Sequence, residues 1–487
     1  MIAVASKPIQ YGIIVAVAFL VSLLISFLPI PILLISVGLV ITAPLIIRSP
    51  HILLTLVLVL SPLRTLIATE SAVQLPLDIG QLLLVVYLSG WVASIIYRHV
   101  TVRQTNLSII FKILVLVVII FGFNIWSSTS ISSWLTEWLK WCIIALFVWH
   151  LDLTERYTWQ WLIFAFLLSA IANALVGIYI FFGGSGADHL VILGRFFRAF
   201  GTFGQPNPFG GFMGITLPIA MMATYSQLIK LASDFHSNTV RIFNQTSIIF
   251  FLSALTTGVL LAGLIASWSR GAWLGFGVSM TMMAFAIPYK LRTSIFVSST
   301  LIILVASLGF SDIIPQSIIN RITTAATDFI TIDEIRGVDI TTINYAVVER
   351  IAHWQAAINM AEANPLTGVG LGNYEIVYDQ YRLLNWEEAL GHAHNYYLNI
   401  LAETGIIGFL VYMIFWIVVF FITWQTRQHP NQFARSISIG LLGSWTYIAV
   451  HSVFDNLFVN NLFLHIGILL GILAVLHRQV WHTVTLE

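Results

Sequence analysis

Fourteen mostly apolar stretches follow one another along this chain, at roughly 11–28, 30–47, 51–68, 79–97, 109–125, 138–150, 161–182, 208–226, 246–267, 272–287, 295–310, 395–424, 436–453 and 460–476. In a bilayer core no water is present to bond the backbone, so a run of about 20 apolar residues crosses it as a helix. The shorter runs can be re-entrant or merge, which gives an all-α polytopic membrane protein with about 12–14 transmembrane helices. A soluble fold is excluded by composition, since 58% of residues are hydrophobic and 9% are charged. No soluble core hides that much apolar surface. The net charge of +1 leaves no concentrated basic surface for a nucleic-acid partner. A single cysteine, Cys142, permits neither an intrachain disulfide nor a cysteine metal cluster. Lys7 precedes the first apolar stretch and no small-residue cleavage site follows it, so a retained first helix is expected, not a removable signal peptide.

Basic residues accumulate in cytoplasmic loops. When the spans alternate, Lys7, Arg48, the group Arg98, Arg103 and Lys112, then Arg156, Lys230 with Arg241, Lys290 with Arg292, Arg427 with Arg435, and Arg478 all fall on one side. Both termini are then cytoplasmic. Arg64, Arg195, Arg198 and Arg270 fall on the opposite side, as does the polar segment 311–391, which holds 11 of the 21 acidic residues. A connector of that length is usually functional. Within it, Tyr345 to Ala363 reads as an amphipathic helix with Val348, Ile351, Ala352, Trp354 and Ile358 towards its contacts, ended by Asn364-Pro365.

Several constellations carry chemistry. His392-Ala393-His394-Asn395 stands at the mouth of an apolar helix, and nine residues separate Asn395 from Gly405, giving H-N-x9-G-x-x-G with Gly408. A neutral imidazole accepts a hydroxyl proton near neutral pH, and a helix start at the membrane boundary offers solvent and unpaired backbone donors. The competing reading is an interfacial histidine pair with Asn395 as a helix cap. Gly405 and Gly408 read as packing residues that let helices approach. Ser269-Arg270-Gly271-Ala272-Trp273 opens another span, where Arg270 either forks onto phosphate oxygens or snorkels beside an aromatic belt residue. Arg350 is an arginine in an acidic loop and a candidate second anion ligand. The run Asn364-Pro365-Leu366-Thr367-Gly368-Val369-Gly370-Leu371-Gly372-Asn373 lacks the strand and lysine of a phosphate loop, so its glycines read as a tight docking turn. Arg195 and Arg198 lead into the segment 200–211, whose Pro and Gly density forbids a regular helix and predicts a re-entrant or interfacial turn. His451 and Asp455 lie one helical turn apart, either as a hydrogen-bonded cap or as a substrate contact.

The H-N-x9-G-x-x-G spacing, the Ser-Arg-Gly-x-Trp segment at Ser269 and the Asn-Pro-Leu-x-Gly-x-Gly-x-Gly-Asn run after Arg350 resemble the O-antigen ligase and polymerase superfamily. A Gly-Thr-Phe-x-x-Pro-Asn run similar to 201–207 recurs there as well. The resemblance covers roughly 195–460. It implies a GT-C-like helical fold with one large extracytoplasmic loop, in the bacterial inner membrane, with the active site between membrane and loop. It also implies a transferase that moves a glycan from a polyprenyl-pyrophosphate carrier onto a glycan, lipid or protein acceptor. His394 would be the catalytic residue, with Arg270, Arg350, Arg195, Arg198, Asn395, His392, His451 and Asp455 as substrate ligands. No Asp-x-Asp, His-Glu-x-x-His, Walker A or Gly-x-Ser-x-Gly pattern is present, so the sugar is expected to arrive activated, without cofactor or metal. The expected organisation is 1–194 N-terminal helices, 195–310 central helices, 311–391 outer loop and 392–487 C-terminal helices. The rival reading is a transporter for inorganic carbon or for the lipid-linked glycan. A transporter would concentrate charge near the bilayer midplane, whereas here it collects at the outer face.

Overall fold

The computed structural model describes residues 51–70, 78–98, 107–152, 158–184, 187–236, 245–310, 316, 319, 340–341 and 344–484. The first two apolar runs and most of 311–343 lie outside them. The remaining runs are helices: α1 His51–Leu60, α2 Arg64–Glu70, α3 Ile79–Arg98, α4 Ile109–Phe123, α5 Ile131–Asp152, α6 Thr158–Tyr179, α7 Pro206–His236, α8 Gln245–Ala266, α9 Arg270–Ala286 and α10 Leu291–Phe310. After them come α11 Tyr345–Ala363, α12 Tyr374–Tyr381, α13 Tyr396–Thr426, α14 Gln432–His451 and α15 Leu462–Val484. Seven helices among the described residues are long and apolar enough to cross a membrane, beginning at Ile109, Ile131, Thr158, Pro206, Gln245, Tyr396 and Leu462. Shorter apolar helices cover Leu53–Thr69, Ile79–Trp91 and Leu291–Ser307. The run expected at 138–150 starts earlier, at Ile131, because the helix accepts Ser132, Ser133, Thr136 and Glu137 that hydropathy discounts.

Helix α14 is the centre of the bundle, buried almost continuously from Ser436 to Ile448. Its small residues are the reason neighbours come so close. A Cβ on Gly440 would lie 2.9 Å from the Cα of Ile219 in α7, and one on Gly443 would lie 2.8 Å from Met283 in α9. Hydroxyls complete these seams, Ser444 Oγ donating to the Ile215 carbonyl at 2.7 Å and Ser279 Oγ to the Gly443 carbonyl at 2.8 Å. Such close approach gains dispersion contact and interhelical hydrogen bonds, which drive helix association where lipid offers no hydrophobic gain. The faces left outward are apolar, as with Phe251, Leu252 and Leu255 on α8. A two-stranded antiparallel hairpin, β1 Val191–Ile192 with β2 Phe196–Phe197, precedes α7.

Helix α11 forms over the expected residues, but its buried stripe is Val348, Ala352, Ala356 and Met360. Ile351, Trp354 and Ile358 are only half-buried, because the helix docks by its small residues against α13. The glycine run that follows is a docking turn. Gly368, Gly370 and Gly372 have φ of 66°, 104° and 72°, and a Cβ at each would strike the backbone of Glu403, Ser128 and Ser133 respectively. No space for a phosphate remains there.

Gly405 departs from the packing role expected of it. It breaks α13 with φ 62°, and into the break the chain 364–370 inserts its own backbone. Ile406 N–H donates to the Pro365 carbonyl at 2.9 Å, while Val369 and Gly370 N–H donate to the carbonyls of Ala402 and Glu403 at 3.0 and 2.9 Å. Gly408 does serve as a packing residue, facing Phe121 of α4. We expect Gly405→Ala to lower the thermal unfolding midpoint in detergent, from the cost of a backbone conformation (φ 62°, ψ −171°) open essentially to glycine alone, about 1–3 kcal/mol, plus the collision with Leu366. Gly277→Ala, whose Cβ would meet nothing within 4 Å, should leave the midpoint unchanged or raise it. Equal midpoints for the two variants would contradict the inserted-loop geometry.

Candidate functional site

One end of the bundle gathers the polar residues. There α8 and α14 finish, and α9 and α13 begin. Asn395 caps α13, its Oδ1 accepting from the N–H groups of Tyr397 and Leu398 at 3.1 Å. Tyr396 N–H donates to the Ser452 carbonyl at 2.8 Å, and the Tyr397 hydroxyl to the Ala449 carbonyl at 2.8 Å. These two bonds hold the start of α13 against the end of α14. His392 and His394 are thereby brought to the turn in which Asp455 N–H bonds back to the His451 carbonyl at 3.1 Å.

Asp455 is buried, and both His392 Nε2 and His394 Nδ1 stand 3.7 Å from its Oδ1. That oxygen also accepts from the Asn456 N–H at 2.8 Å. The backbone N–H of His394 donates to Nδ1 of His392 at 3.1 Å. The proton of neutral His392 therefore sits on Nε2, facing the carboxylate. His394 has φ 50°, a conformation uncommon outside glycine, and neither of its ring nitrogens has a hydrogen-bond partner. Its ring meets those of His392 and His353 edge-on, with centroids 4.5 and 5.7 Å apart.

His353 is the residue that the sequence reading passed over. It lies one turn beyond Arg350 on the same face of α11 and is buried. The Tyr374 hydroxyl donates to the His353 carbonyl at 3.1 Å and so must accept from Nδ1–H of the ring, at 3.0 Å. Tyr447 treats His451 the same way, donating to the Gly210 carbonyl at 2.9 Å and accepting from Nδ1–H at 2.7 Å. The i, i+3 spacing to Arg350 was the available signal for His353. Nothing local in the sequence announces Tyr374 or Tyr447, which reach the histidines from other elements.

The arginines arrive by several routes. Arg350 is half-buried, its Nε donating to the Phe454 carbonyl at 3.4 Å and Nη1 to the Ala346 carbonyl at 2.6 Å, leaving Nη2 without a partner among the described residues. Arg270 opens α9, and the next residue, Gly271, abuts His451 and Phe454, a Cβ there falling 3.2 Å from each. Arg198 is tied to the turn before α9, through Nε to the Ser267 carbonyl at 3.4 Å and Nη2 to Asn207 Oδ1 at 3.3 Å. Arg195 is not brought to this group. It lies on the β1–β2 hairpin with its guanidinium 4.5 Å from the Phe196 ring centre. Trp273 turns inward, its indole N–H capping the Leu264 carbonyl at 3.1 Å. Thr202, in the turn before α7, donates to the Pro62 carbonyl at 2.7 Å.

Burial pulls the His392 imidazole down to about 4 against the opposing pull of Asp455, and pulls His353 to about 4 with His394, His392 and Arg350 acting the same way. Burial by itself pushes the Asp455 carboxyl up, but the imidazoles of His394, His392 and His451 around it outweigh that and hold the group well below the ordinary carboxylate range. At neutral pH the site thus holds an ionised carboxylate beside the neutral imidazoles of His353 and His392. His392, His394 and Asp455 also form the one set of metal-ligand composition among the described residues, with donor atoms within 4.8 Å of one another.

Fold and site together define a membrane protein with arginine and histidine chemistry at one end of a helical bundle. Residues 255–413 match the family model described as O-Antigen ligase. That segment supports a place in the O-antigen ligase and polymerase superfamily, the family that the sequence motifs resemble. The match supports an enzyme of ligase or polymerase type acting in a membrane, and it lends nothing to the transporter alternative. Arg270, Arg350, His392 and His394 lie within the matched region, whereas Arg198, His451 and Asp455 are supplied from outside it. A search of curated proteins returns no match.

The lowered imidazoles have a consequence for stability. Between pH 6.5 and about 4 the unfolded chain binds protons at His353 and His392 that the folded chain does not. The stability they contribute is complete above pH 6.5 and is lost as pH falls through that window. The unfolding midpoint should therefore drop on acidification from neutral pH, and His353→Gln should flatten the slope. A midpoint that stays level across the window would show that these imidazoles are not held neutral by burial.

Proposed function

We propose that this protein transfers a glycan from a polyprenyl-pyrophosphate carrier to an acceptor hydroxyl, with His394 as the base. The observation that carries the reading is the state of the site histidines. His353, His392 and His451 each have a ring nitrogen engaged by a protein partner, and His394 alone has both nitrogens unpartnered. Its strained backbone and the Asp455 carboxylate 3.7 Å away belong to a side chain kept available for a reactant.

The acceptor O–H gives its proton to His394 while its oxygen attacks the anomeric carbon. The bond from that carbon to the pyrophosphate oxygen breaks. The products are a glycosidic bond and a free polyprenyl pyrophosphate. Asp455 stabilises the imidazolium formed at His394, as a buried carboxylate beside a charged ring does. Arg270 and Arg350 hold the leaving pyrophosphate, whose growing charge is best met by preorganised donors in a water-poor setting. No cofactor enters, and the arginines supply the charge stabilisation that a metal would otherwise bring. The acceptor is a glycan, a lipid or a protein. The GT-C-like fold and the bacterial inner membrane, with both termini cytoplasmic, complete the reading.

The test is transfer from a polyprenyl-pyrophosphate glycan by purified protein in detergent, at several pH values. His394→Ala should lower turnover by about 10²- to 10⁴-fold while sparing donor affinity. His392→Ala should be milder. Arg270→Lys and Arg350→Lys keep the charge but lose the fork, and each should impair transfer strongly. Chelators should leave the rate unchanged. Full activity in His394→Ala removes the base from this account, and loss on chelation with recovery on adding a divalent ion would reassign the His392, His394 and Asp455 trio to metal binding.

Orientation has its own test. Leu384 is 90% exposed on the loop after α12. In a Cys142→Ser background, Leu384→Cys should react with a membrane-impermeant thiol reagent in intact cells, and Lys290→Cys should not. The reverse pattern would put the site on the cytoplasmic side.

A further inference from the structure

Asn207 is the second residue of α7, in the Gly-Thr-Phe-x-x-Pro-Asn run to which no chemical role has yet been attached. Its Oδ1 accepts two hydrogen bonds, from Arg198 Nη2 at 3.3 Å and from Ser269 Oγ at 3.1 Å. An amide oxygen has two lone pairs, so its accepting capacity is filled, and the donor-only guanidinium of Arg198 fixes the amide's orientation, since a flip would set NH₂ against N–H. The NH₂ group must therefore point away from Arg198 and Ser269. It has no partner among the described residues, and the residue is half-buried, not fully enclosed.

Its surroundings say what kind of ligand that NH₂ meets. Ser269, which braces it, immediately precedes Arg270. Gly271 abuts His451 and Phe454, and the Phe454 carbonyl carries the guanidinium of Arg350. One turn along α7, the Gly210 carbonyl accepts from Tyr447, the residue that fixes His451. Asn207 thus sits on the seam between Arg198 and the start of α9, where Arg270 is the first residue, and close to His451. An oriented pair of N–H donors beside the Arg198 guanidinium, on the end of the bundle that carries Arg270 and Arg350, suits a ligand with many acceptor oxygens and negative charge. It suits no cation.

We propose that the Asn207 amide donates to the pyrophosphate of the lipid-linked substrate, with Arg198 and Ser269 aiming it. This rests on the donor-site reading of Arg270 and Arg350 given above. A neutral donor adds a contact that depends on geometry, where the arginines supply attraction. Arg198 accordingly acts as a positioning residue through Asn207.

Asn207→Asp separates aiming from donating. A carboxylate still accepts from Arg198 and Ser269, and more strongly, so the brace survives. The two N–H donors are replaced by lone pairs. Binding of a short-chain polyprenyl pyrophosphate and of inorganic pyrophosphate would be measured on the full-length protein in detergent. Salt would be set at about 0.05 M and about 0.5 M, since the higher value screens repulsion acting through space. The expected result is an affinity at least about tenfold weaker at both salt levels, the scale of one lost hydrogen bond to a charged group, with an unfolding midpoint no lower than wild type. Asn207→Ala should weaken binding too, and lower the midpoint because the brace is gone. Loss in both ligands assigns the contact to the phosphate group itself, and loss for the lipid form alone assigns it to the seated carrier. Wild-type affinity in Asn207→Asp, or a weakening that disappears at high salt, overturns the proposal while leaving the donor site standing. A wild-type protein that binds neither ligand overturns the donor site and this contact together.

Discussion

The bond from the Tyr396 N–H to the Ser452 carbonyl is the contact on which the site depends. The first N–H groups of a helix and the last carbonyls of another have no partners of their own, and at a membrane boundary they must find them in protein or water. Here α13 and α14 satisfy each other. Asn395 takes the N–H groups of Tyr397 and Leu398, so Tyr396 is free to reach across to α14. That crossing, with the bond from the Tyr397 hydroxyl to the Ala449 carbonyl, sets His394 beside Asp455. A slip of one residue in either helix would turn the histidines or the carboxylate away from the shared space.

A second constraint acts one layer deeper. α13 runs from its cap at Asn395 to its break at Gly405, so the nine residues between them are a short helical post. The break exposes carbonyls, and the turn 364–370 fills them. Glu403 reaches from the post to the other end of that turn, accepting from the Tyr374 N–H at 3.1 Å. Tyr374 in turn determines the tautomer of His353. The glycine run and the histidine motif are thus two sides of one clamp, although 21 residues separate Asn373 from Asn395 along a chain that leaves and returns. Asn124 fastens the far side of the clamp to α4, donating to the Thr367 carbonyl at 2.5 Å and accepting from the Leu371 N–H.

Helix positions were legible in the sequence because hydropathy reports the membrane environment directly, and even α11 began and ended where Tyr345 and Asn364-Pro365 placed it. Hydropathy fell short where polar residues extend a helix beyond its apolar part, and α5 began earlier than expected because Ser132, Ser133 and Thr136 are helical. The site was legible in part. Arg350, His392, His394, His451 and Asp455 converge as their residue types suggested. Arg195, three residues from Arg198, did not, because the β1–β2 hairpin turns its side chain onto Phe196. Gly405 could be seen as a glycine, but not as a break, since a positive φ leaves no mark on composition. Tyr374, Tyr447 and Asn207 were silent because each acts across the fold, and a long-range hydrogen bond has no spacing to read.

These silent residues explain how four neighbouring histidines come to have different chemistry. A bare imidazole has two equivalent choices for its proton, and a cluster of them in water would exchange protons freely. Here each choice has been made by a group that does not titrate near neutrality. Tyr374 puts the His353 proton on Nδ1, Tyr447 does the same for His451, and the His394 backbone N–H puts the His392 proton on Nε2. Burial then denies His353 and His392 a second proton until the pH falls to about 4. His394 is left with both ring nitrogens unpartnered and Asp455 3.7 Å away, and in the reading proposed above it is the ring that takes the acceptor's proton. Setting one histidine of a cluster apart in this way requires no unusual property of that residue, only partners for the others.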